Sequence, residues 1–576
     1  MSTVIGIDLG TSTTEAAVYR DGKPEMIFNL SGDVVTPSAV GMDEHGNWVV
    51  GERARAQLLL SPENTAIEIK RKIGTSEKIR IGGTVWTPVD LSARILEYVR
   101  SYASKFLQED IRRAVISVPA YFNDIQRQET IAAGKKAGLS VERILNEPTA
   151  AALSYGLEHM EEESHILVFD LGGGTFDVTL LEMFDGVLEV KASSGDNQLG
   201  GKDFDQALCD WMVGEFREKH GINLAKDLYA MVRIRDEAER CKIALSEQSS
   251  YHVQLPALTK KDNIPLDLDL TVTAERFETL TKSLLERTRH PIEVVLQDAD
   301  ITPDEIDRVI LAGGATRMPM VSREIERFLG IRPSAAVHPD FAVAEGAAIQ
   351  AAIISGEINA SEGLVMTDVN PFSLGVRCYD GYSFDKMSVV IPRNVTIPVT
   401  RTETYSTSFD YQSEALIEVY QGESDIASSN HFLGKFIIGG IPPKRVGREG
   451  GQPIAVSFSY DMNGTLQVEA VVGATGKKAS IKIDMMNADG SDEGERMDVS
   501  DWNQSKLARP YRALIRRSER MLKKLALMGE DEKGQYDLLE DSVYYLKRAI
   551  LQEDREACRD GEKGLEMMLT LLEERL

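Results

Sequence analysis

The sequence predicts a multidomain protein with an α/β region first, an antiparallel β region next and a short helical region last. Three observations support this prediction. A strand-and-turn unit near the N-terminus occurs again further along, alternating apolar and polar residues dominate the middle, and helical spacing dominates the end. The chain has 576 residues, which is too long for one hydrophobic core, so two to four domains are expected.

Composition narrows the possible functions. The formal net charge is −26, with 42% hydrophobic and 27% charged residues, as in ordinary globular proteins. This acidity argues against a nucleic-acid binder, which normally carries a basic face. No signal peptide and no membrane-length apolar stretch are visible. The four cysteines are widely spaced, which predicts neither disulfides nor a zinc site and favours the reducing cytoplasm: Cys209, Cys241, Cys378 and Cys558.

The repeated unit is an apolar strand that ends in an aspartate and enters a turn rich in glycine and hydroxyl groups. The first copy covers residues 4–8 and the turn 9–13, and the second covers residues 166–170 and the turn 171–175. Two further strands around an Asp-Gly turn follow each copy. Glycine turns let backbone N–H groups converge on an anion. Two facing loops could therefore grip nucleotide phosphates, with each aspartate holding Mg²⁺ through water.

A single turn of this kind is more often an ordinary hairpin, and only its duplication favours a phosphate site. Neither loop contains GxxxxGK[ST], and each leads into a strand rather than a helix, so P-loop and Rossmann sites are disfavoured. A third glycine turn, Gly313-Gly314, follows the apolar residues 309–312 and suits a purine or ribose. Glu239, Lys242 and Ser246 have the spacing of one helix face, which is commonly just a solvated surface.

Five segments together resemble the signatures of DnaK-type heat-shock protein 70 chaperones, and they occur in the family's order: residues 8–11, 118–122, 146–151, 170–177 and 313–319. The similarity extends from the first strand to about residue 485, and residues 402–407 look closest to the bacterial HscC branch. It implies an actin-like (ribonuclease H-like) α/β ATPase domain, an interdomain linker, an antiparallel β-sandwich that binds substrate, and a short α-helical lid. The implied boundaries are 1–363, 364–368, 369–498 and 499–576.

The resemblance also implies ATP and ADP as cofactors, together with Mg²⁺ and K⁺. The residues implied in hydrolysis are Lys70, Glu147, Asp170 and Thr175. Those implied in nucleotide binding are Gly10, Thr11, Ser12, Thr13, Gly172, Gly173, Gly174, Glu239, Lys242, Ser246, Gly313, Gly314, Arg317 and Asp340. The implied metal positions are Asp8, Asp170 and Asp177, of which Asp8 and Asp177 match the potassium positions. Glu345 departs from the family, which has an apolar residue there.

Two further sets of residues are assigned through the resemblance. Pro119, Arg127 and Asp368 match the interdomain switch. The implied peptide-binding positions are Val376, Tyr379, Tyr405, Ser408, Ala415 and Ile417, with Tyr379 and Ser408 arching over the peptide. Tyr379 and Ala415 depart from the family's usual residue types, which predicts an altered client preference.

Period-two alternation over residues 454–460 and 466–472, around Asn463-Gly464, predicts a β-hairpin of the sandwich. Helical stripes then predict a small lid bundle, although a dimerising bundle is an alternative: Tyr536, Leu539, Val543, Leu546 and Ile550, then Leu565, Met568, Leu569 and Leu572.

The expected function is an ATP-dependent chaperone that binds and releases extended hydrophobic segments of client polypeptides. A J-domain cochaperone is an expected partner and a nucleotide-exchange factor a possible one, whereas nucleic acid and membrane are not expected. Three alternatives stay open: a metabolite kinase on the same ATPase fold, a filament protein of the actin class, and an ATPase regulator of one dedicated protein. The appended β region disfavours the first two, and the altered pocket and short lid favour the third.

Overall fold

A computed structural model describes residues 2–575 except 158, 160–162, 185, 335–336, 359–364, 381–382, 384, 447–449, 484–498, 527–532, 552 and 554. The chain forms two compact units, one ending at Pro371 and the other beginning at Phe372. No helix among the described residues combines the length and apolar character needed to cross a membrane. Leu364 of the predicted linker lies outside the described residues, and so does residue 498, at which the predicted β-sandwich ends.

The first unit contains eighteen described strands: β1 Val4–Leu9, β2 Thr13–Arg20, β3 Lys23–Met26, β4 Val35–Pro37, β5 Val40–Met42, β6 Trp48–Val50, β7 Thr65–Ala66, β8 Ile79–Ile81, β9 Thr84–Trp86, β10 Arg113–Val118, β11 Ser140–Asn146, β12 Ser164–Leu171, β13 Phe176–Phe184, β14 Val187–Asp196, β15 Ser250–Lys261, β16 Ile264–Thr273, β17 Arg308–Ala312 and β18 Val365–Val369.

Its described helices are α1 Glu52–Leu58, α2 Pro88–Leu107, α3 Asp124–Lys136, α4 Glu147–Gly156, α5 Gly201–His220, α6 Leu228–Leu245, α7 Ala274–Glu286, α8 Arg289–Ala299, α9 Pro319–Leu329 and α10 Ala342–Ser355. Local sequence explains several of their ends. For example, α2 begins at Pro88 behind a capping box in which the Thr87 hydroxyl accepts from the Asp90 N–H. The left-handed residue Gln108 then ends it.

The predicted duplication is confirmed in the two main sheets of this unit. The first sheet has the order β11-β10-β1-β2-β3, and the second has the order β17-β12-β13-β14-β18. In both, a three-stranded antiparallel meander is flanked by a parallel strand next to its first member. We call the parts of the unit built around these sheets the first and second halves.

The two halves meet through small residues on α10 and α4. A Cβ atom on Gly346 of α10 would lie 1.8 Å from the Ala150 carbonyl oxygen of α4, and one on Gly6 of β1 would lie 2.2 Å from the Ala348 nitrogen. Any side chain at these two positions, even that of alanine, would therefore separate these elements. The alanine-rich sequence of α10 reflects this close approach, and it places β1 and β12 on either side of one cleft.

The second unit contains nine described strands: β19 Leu374–Cys378, β20 Lys386–Ile391, β21 Thr396–Ile397, β22 Val399–Ser406, β23 Glu414–Gln421, β24 His431–Gly439, β25 Pro453–Tyr460, β26 Leu466–Val472 and β27 Lys478–Ile483. They include two four-stranded antiparallel sheets, with the orders β20-β19-β23-β24 and β22-β25-β26-β27. The predicted hairpin is confirmed as β25 and β26, whose buried residues alternate with less buried ones. Helices α11 Ala508–Ala526, α12 Lys533–Leu551 and α13 Arg555–Arg575 share one apolar core.

Candidate nucleotide-binding site

The two glycine turns predicted from the repeat face each other across the cleft. A Cβ atom on Gly173 would lie 2.2 Å from the Ser12 hydroxyl oxygen, and one on Gly174 would lie 2.6 Å from the Thr11 hydroxyl oxygen. Glycine is therefore required by close approach at both positions. Gly10, Thr13 and Gly172 complete the two turns, so the structure brings the predicted phosphate-binding residues of both repeats together.

The second turn is held in shape by the start of α5. The Gly172 N–H donates to the Thr175 carbonyl oxygen at 3.0 Å, while the Gly201 and Lys202 N–H groups donate to the Gly172 and Gly173 carbonyl oxygens at 2.9 Å. These bonds place the N-terminus of a twenty-residue helix beside the turn. The positive end of that helix dipole favours a bound anion, such as a phosphate group, next to it.

Lys70 and Glu147 are far apart in the sequence and form a buried ion pair. Burial opposes the lysine's charge, but Glu147 and Asp8 outweigh it and raise the pKa of Lys70, so the ammonium group is retained at neutral pH. Burial raises the pKa of Glu147, and Asp8 and Asp177 add to the rise, whereas the Lys70 ammonium opposes it and favours the ionised carboxylate of the pair. Lys70 is thus a fixed positive charge in the cleft, as required to neutralise a transferring phosphoryl group.

The three predicted metal carboxylates lie near this pair; Asp170 and Asp177 are buried, and Asp8 is partly buried. Burial raises the pKa of Asp8, raises that of Asp170 well above its usual value, and raises that of Asp177 to about 6. The Asp8 carboxylate accepts from the Ser117 hydroxyl at 2.8 Å, and the Asp177 carboxylate accepts from the Tyr121 N–H at 2.9 Å. Such a concentration of buried carboxylates fits a site completed by a cation.

No three His, Cys, Asp or Glu side chains within the described ranges form a direct metal-binding group. The individual metal positions therefore remain predictions.

The other residues predicted to bind the nucleotide come from two regions of the second half, which together we call the predicted clamp. Glu239 and Lys242 lie on α6, which ends at Leu245, and Ser246 is the C-cap residue that follows it with helical backbone angles. Its hydroxyl donates to the Lys242 carbonyl oxygen at 3.2 Å, which holds the turn after the helix. Lys242 also pairs with Asp205 at 2.8 Å.

The other part of the predicted clamp follows β17. The Arg317 guanidinium pairs with the Asp340 carboxylate at 2.6 Å, and its Nη2 lies 3.1 Å from the His338 Nε2. The Gly313 N–H donates to the Pro339 carbonyl oxygen at 3.0 Å, and Gly314 lies next to Asp340. Glu345 is explained by a local contact, since its carboxylate accepts from the Ser154 hydroxyl on α4 at 3.0 Å.

Glu239 also joins the two halves across the cleft. Its carboxylate pairs with Arg55 of α1 at 2.5 Å and with Lys202 of α5 at 3.1 Å. Burial opposes the charge of Glu239, but Lys202, Arg55 and Lys242 outweigh it and lower its pKa to about 2. Arg55 is the member of this cluster that belongs to the first half, so the Arg55–Glu239 pair must break when the cleft opens.

We expect Arg55→Ala to release bound ADP about fivefold faster, because one partly exposed ion pair holding the cleft closed is lost. Release of a fluorescent ADP analogue, followed by stopped flow, measures the effect. Arg53→Ala is the matched control, since Arg53 is exposed on the same helix. Equal release rates for the two variants would contradict the role of the pair.

The predicted switch residues form a hydrogen-bonded series within the first unit. Both Asp368 carboxylate oxygens accept from the Asn146 amide at 2.8 Å, and the Asn146 side-chain oxygen accepts from Arg127 at 2.7 Å. Arg127 in turn donates to the Ala120 carbonyl oxygen at 2.9 Å, directly after Pro119. Asp368 lies on β18, which pairs in parallel with β14. The series thus connects β18 with the residue preceding Glu147.

In the second unit, the structure brings most of the predicted peptide-binding positions together. Ala415, Ile417 and Val419 are every second residue of β23 and therefore project from one face of the sheet. Val376 of β19 pairs with Val419, so Val376 lies on that face as well. The Tyr405 hydroxyl lies 3.0 Å from the Ser388 hydroxyl of β20. Ser388 is the β-sheet partner of Val376.

The remaining two positions lie at strand ends. Tyr379 follows β19, and Ser408 follows β22, where its N–H donates to the Gln412 side chain at 3.0 Å.

Several residues around the candidate nucleotide site were not predicted from the sequence. The Arg71 guanidinium donates to the Gly174 carbonyl oxygen at 3.0 Å and pairs with Asp203, so it joins the first half to the second glycine turn. Lys202 and Arg55 neutralise Glu239. Their partners lie 37 to more than 100 positions away in the chain, and no local pattern distinguishes them from solvated basic residues.

Comparison with known proteins identifies the family. The family model described as Hsp70 protein matches residues 4–79 and 75–567. The chain is 47% identical over 497 residues to Chaperone protein DnaK of Thermotoga petrophila, covering 86% of this chain and 82% of the relative. It is also 47% identical over 483 residues to Chaperone protein DnaK of Thermotoga neapolitana, covering 83% and 80%. The family predicted from the sequence motifs is thereby confirmed: the chain belongs to the Hsp70 family.

Proposed function

We propose that this protein is an ATP-dependent molecular chaperone that binds and releases extended hydrophobic segments of client polypeptides. The observation that carries the proposal is the pair of opposed glycine turns, together with the buried Lys70–Glu147 pair, whose lysine is attracted by the aspartates that precede the two turns, Asp8 and Asp170. Membership of the Hsp70 family and the resemblance to DnaK chaperones support the same function.

In the proposed hydrolysis step, water attacks the terminal phosphorus of ATP and the bond to the ADP oxygen breaks. The Lys70 ammonium stabilises charge on the transferring group, while Glu147 and Thr175 orient the water and the phosphate. Asp8 and Asp170 would hold the hydrated Mg²⁺, which neutralises phosphate charge when bound. Asp8 and Asp177 are also the proposed positions for K⁺.

The peptide would bind to the second unit in extended form, through main-chain hydrogen bonds and an apolar pocket. Val376 and Ile417 supply buried apolar surface, with 3% and 8% of each residue exposed. The proposed lid is the bundle of α11, α12 and α13. It contacts the segment that follows Ser408, since Phe409 packs against the bundle's core and the Lys563 ammonium lies 4.3 Å from the Tyr411 ring centroid.

Other aspects of this proposal rest on the resemblance. We propose a nucleotide-binding domain over residues 1–363, a linker at 364–368, a β-sandwich at 369–498 and a lid at 499–576. A J-domain cochaperone, a nucleotide-exchange factor, a cytoplasmic location and a position in the HscC branch belong to the same proposal. The altered types at Tyr379 and Ala415 would change client preference by about 1–3 kcal/mol per contact.

The test is the release rate of a fluorescent hydrophobic peptide from the full-length protein, measured first with ADP and then with ATP. Chaperone function predicts release at least about tenfold faster with ATP. Peptide binding that is insensitive to nucleotide would contradict the coupled cycle. ATP hydrolysis without binding of any generic peptide would instead indicate the regulator of one dedicated protein.

A further inference from the structure

One side of helix α11 is strongly basic although the chain as a whole is acidic. The helix, Ala508–Ala526, contains seven arginine or lysine residues and one glutamate, which gives it a formal charge of +6. Removing this +6 from the −26 of the whole chain leaves −32 on all other residues. Helix α11 is therefore a local positive region on a negatively charged protein.

The cations of α11 form a row along one side of the helix. Five exposed members follow one another at intervals of three or four residues, and we call them the basic face: Arg509, Arg512, Arg516, Arg520 and Lys523. The opposite side is buried in the core shared with α12 and α13: Ala508, Tyr511, Leu514, Ile515, Ser518, Met521 and Leu525. The core of the bundle is thus built without the basic face, which extends about 21 Å along the helix.

The basic face has no acidic partner within the part of the chain that the structure describes. A neighbouring cation shows what a structural charge does here, since Arg517 pairs with Glu573 of α13. In the basic face, by contrast, Arg512 donates to the Asn503 carbonyl oxygen at 2.9 Å, and Arg520 donates to a backbone carbonyl one turn earlier at 3.3 Å. Like charges at these intervals repel one another. The row therefore costs the lid stability, which favours a role in binding an anionic partner.

The surroundings of the row favour a short acidic stretch of polypeptide over a nucleic acid or a membrane. Tyr511 is the one aromatic residue of α11 and is buried, so the exposed side offers no stacking platform for the bases of a single strand. The apolar side is covered by the bundle, so it cannot enter a bilayer. Both extended polyanions would also be repelled by the −32 on the rest of the chain, whereas a short acidic stretch covers the basic face alone.

Helix α11 belongs to the same compact unit as the predicted peptide-binding positions. The core of its bundle includes Phe409, which directly follows Ser408. A client polypeptide longer than its bound hydrophobic segment continues beyond the pocket at both ends. Because an extended chain advances about 3.3 Å per residue, residues that flank the bound segment can reach the lid.

We propose that the basic face of α11 binds acidic residues that flank the hydrophobic segment of a client polypeptide. The inference rests on the proposed chaperone function and adds a charge preference to it. Four of the five cations are arginines, whose planar guanidinium groups bind carboxylates through paired hydrogen bonds. Among clients with equal hydrophobic segments, those with aspartate or glutamate nearby are bound most tightly.

The experiment compares fluorescent peptides that share one hydrophobic segment and differ in a short block of Asp/Glu, Asn/Gln or Lys. A Gly/Ser spacer of about fifteen residues, spanning about 20 Å on average, joins the block to either end of the segment. Fluorescence anisotropy with the full-length protein and ADP gives each affinity. At low salt, the acidic peptide should bind about fivefold to tenfold more tightly than the neutral one for at least one position of the block, because several exposed ion pairs each contribute little. The difference should vanish near 1 M salt, where the screening length is about 3 Å.

Three sets of variants locate the preference. The combined change Arg509→Gln, Arg516→Gln and Lys523→Gln should remove it and leave the affinity for the neutral peptide unchanged, since these side chains are exposed and glutamine is also a good helix former. Glutamate at the same three positions should reverse the preference in favour of the lysine peptide. The matched control removes three exposed cations of the first unit and should bind like the wild type: Arg217→Gln, Lys219→Gln and Lys226→Gln.

Equal affinities of the wild type for the acidic and neutral peptides would overturn the inference, and so would an acidic preference that survives in the glutamine variant. Binding of poly(U) RNA or of phosphatidylglycerol vesicles that depends on the basic face, without any preference among the peptides, would assign the face to a different partner. If no peptide bound at all, the proposed function and this inference would fail together, whereas loss of the charge preference alone would leave the proposed function standing.

Discussion

Replacing Lys70 by alanine is expected to lower the rate of ATP hydrolysis by about a hundredfold to a thousandfold, the usual effect of removing one preorganised charge-stabilising group. The lysine is buried, positively charged and fixed by Glu147, so water cannot supply an equivalent charge at the same point. Single-turnover hydrolysis of radiolabelled ATP measures the chemical step directly. ADP binding should be retained, because the glycine turns and the Glu239 cluster remain intact.

Lys72→Ala is the matched control for this variant. Lys72 belongs to the same short 3-10 helix, Ile69–Lys72, but its side chain is partly exposed and pairs with Glu77. Its removal should leave the rate nearly unchanged. The Lys70 variant should also stay folded, because burial, Asp8 and Asp177 raise the pKa of Glu147, which will take up a proton once the opposing lysine is removed. Equal rates in both variants would show that Lys70 does not contact the reacting phosphate.

Replacing Asp368 by alanine is expected to reduce the acceleration of peptide release by ATP by about tenfold or more, which is a typical coupling between two sites. Asp368 is buried, and its two carboxylate oxygens receive the Asn146 amide, while the Val369 N–H donates to one of them at 2.8 Å. Asn146 precedes Glu147 and is bonded to Arg127. Loss of the carboxylate would disconnect β18 from Glu147 and the other residues proposed to act on the nucleotide.

The measurement is peptide release by stopped flow with ATP and with ADP, together with the basal ATPase rate, which should be retained. Asp110→Asn serves as the control, because Asp110 is an exposed carboxylate paired with Arg112 at the surface. An Asp368 variant that still releases peptide faster with ATP to the wild-type extent would show that the hydrogen-bonded series does not transmit the nucleotide state.

The parts of the site that could be predicted from the sequence are those with a local chemical cause. The turns need glycine at Gly10, Gly173 and Gly174 because backbone and side chains approach closely there, so the two turns appear as motifs. The hairpin of β25 and β26 needs alternating burial, so it appears as period-two alternation. Lys70 shows no such signal: it is one of three consecutive basic residues, and only its resemblance to a family position distinguished it.

The sequence by itself determined the duplicated unit, the order of the structural regions and the family, because turn chemistry and periodicity act over a few residues and are written into neighbouring positions. Only the tertiary structure decided which charges meet. Arg71 reaches Gly174, Arg55 reaches Glu239, and Glu15 is placed opposite Asp8 by the pairing of two strands. Ion pairing in the cleft depends on burial and on distance in space, and no local sequence pattern identifies the partner of each charged residue.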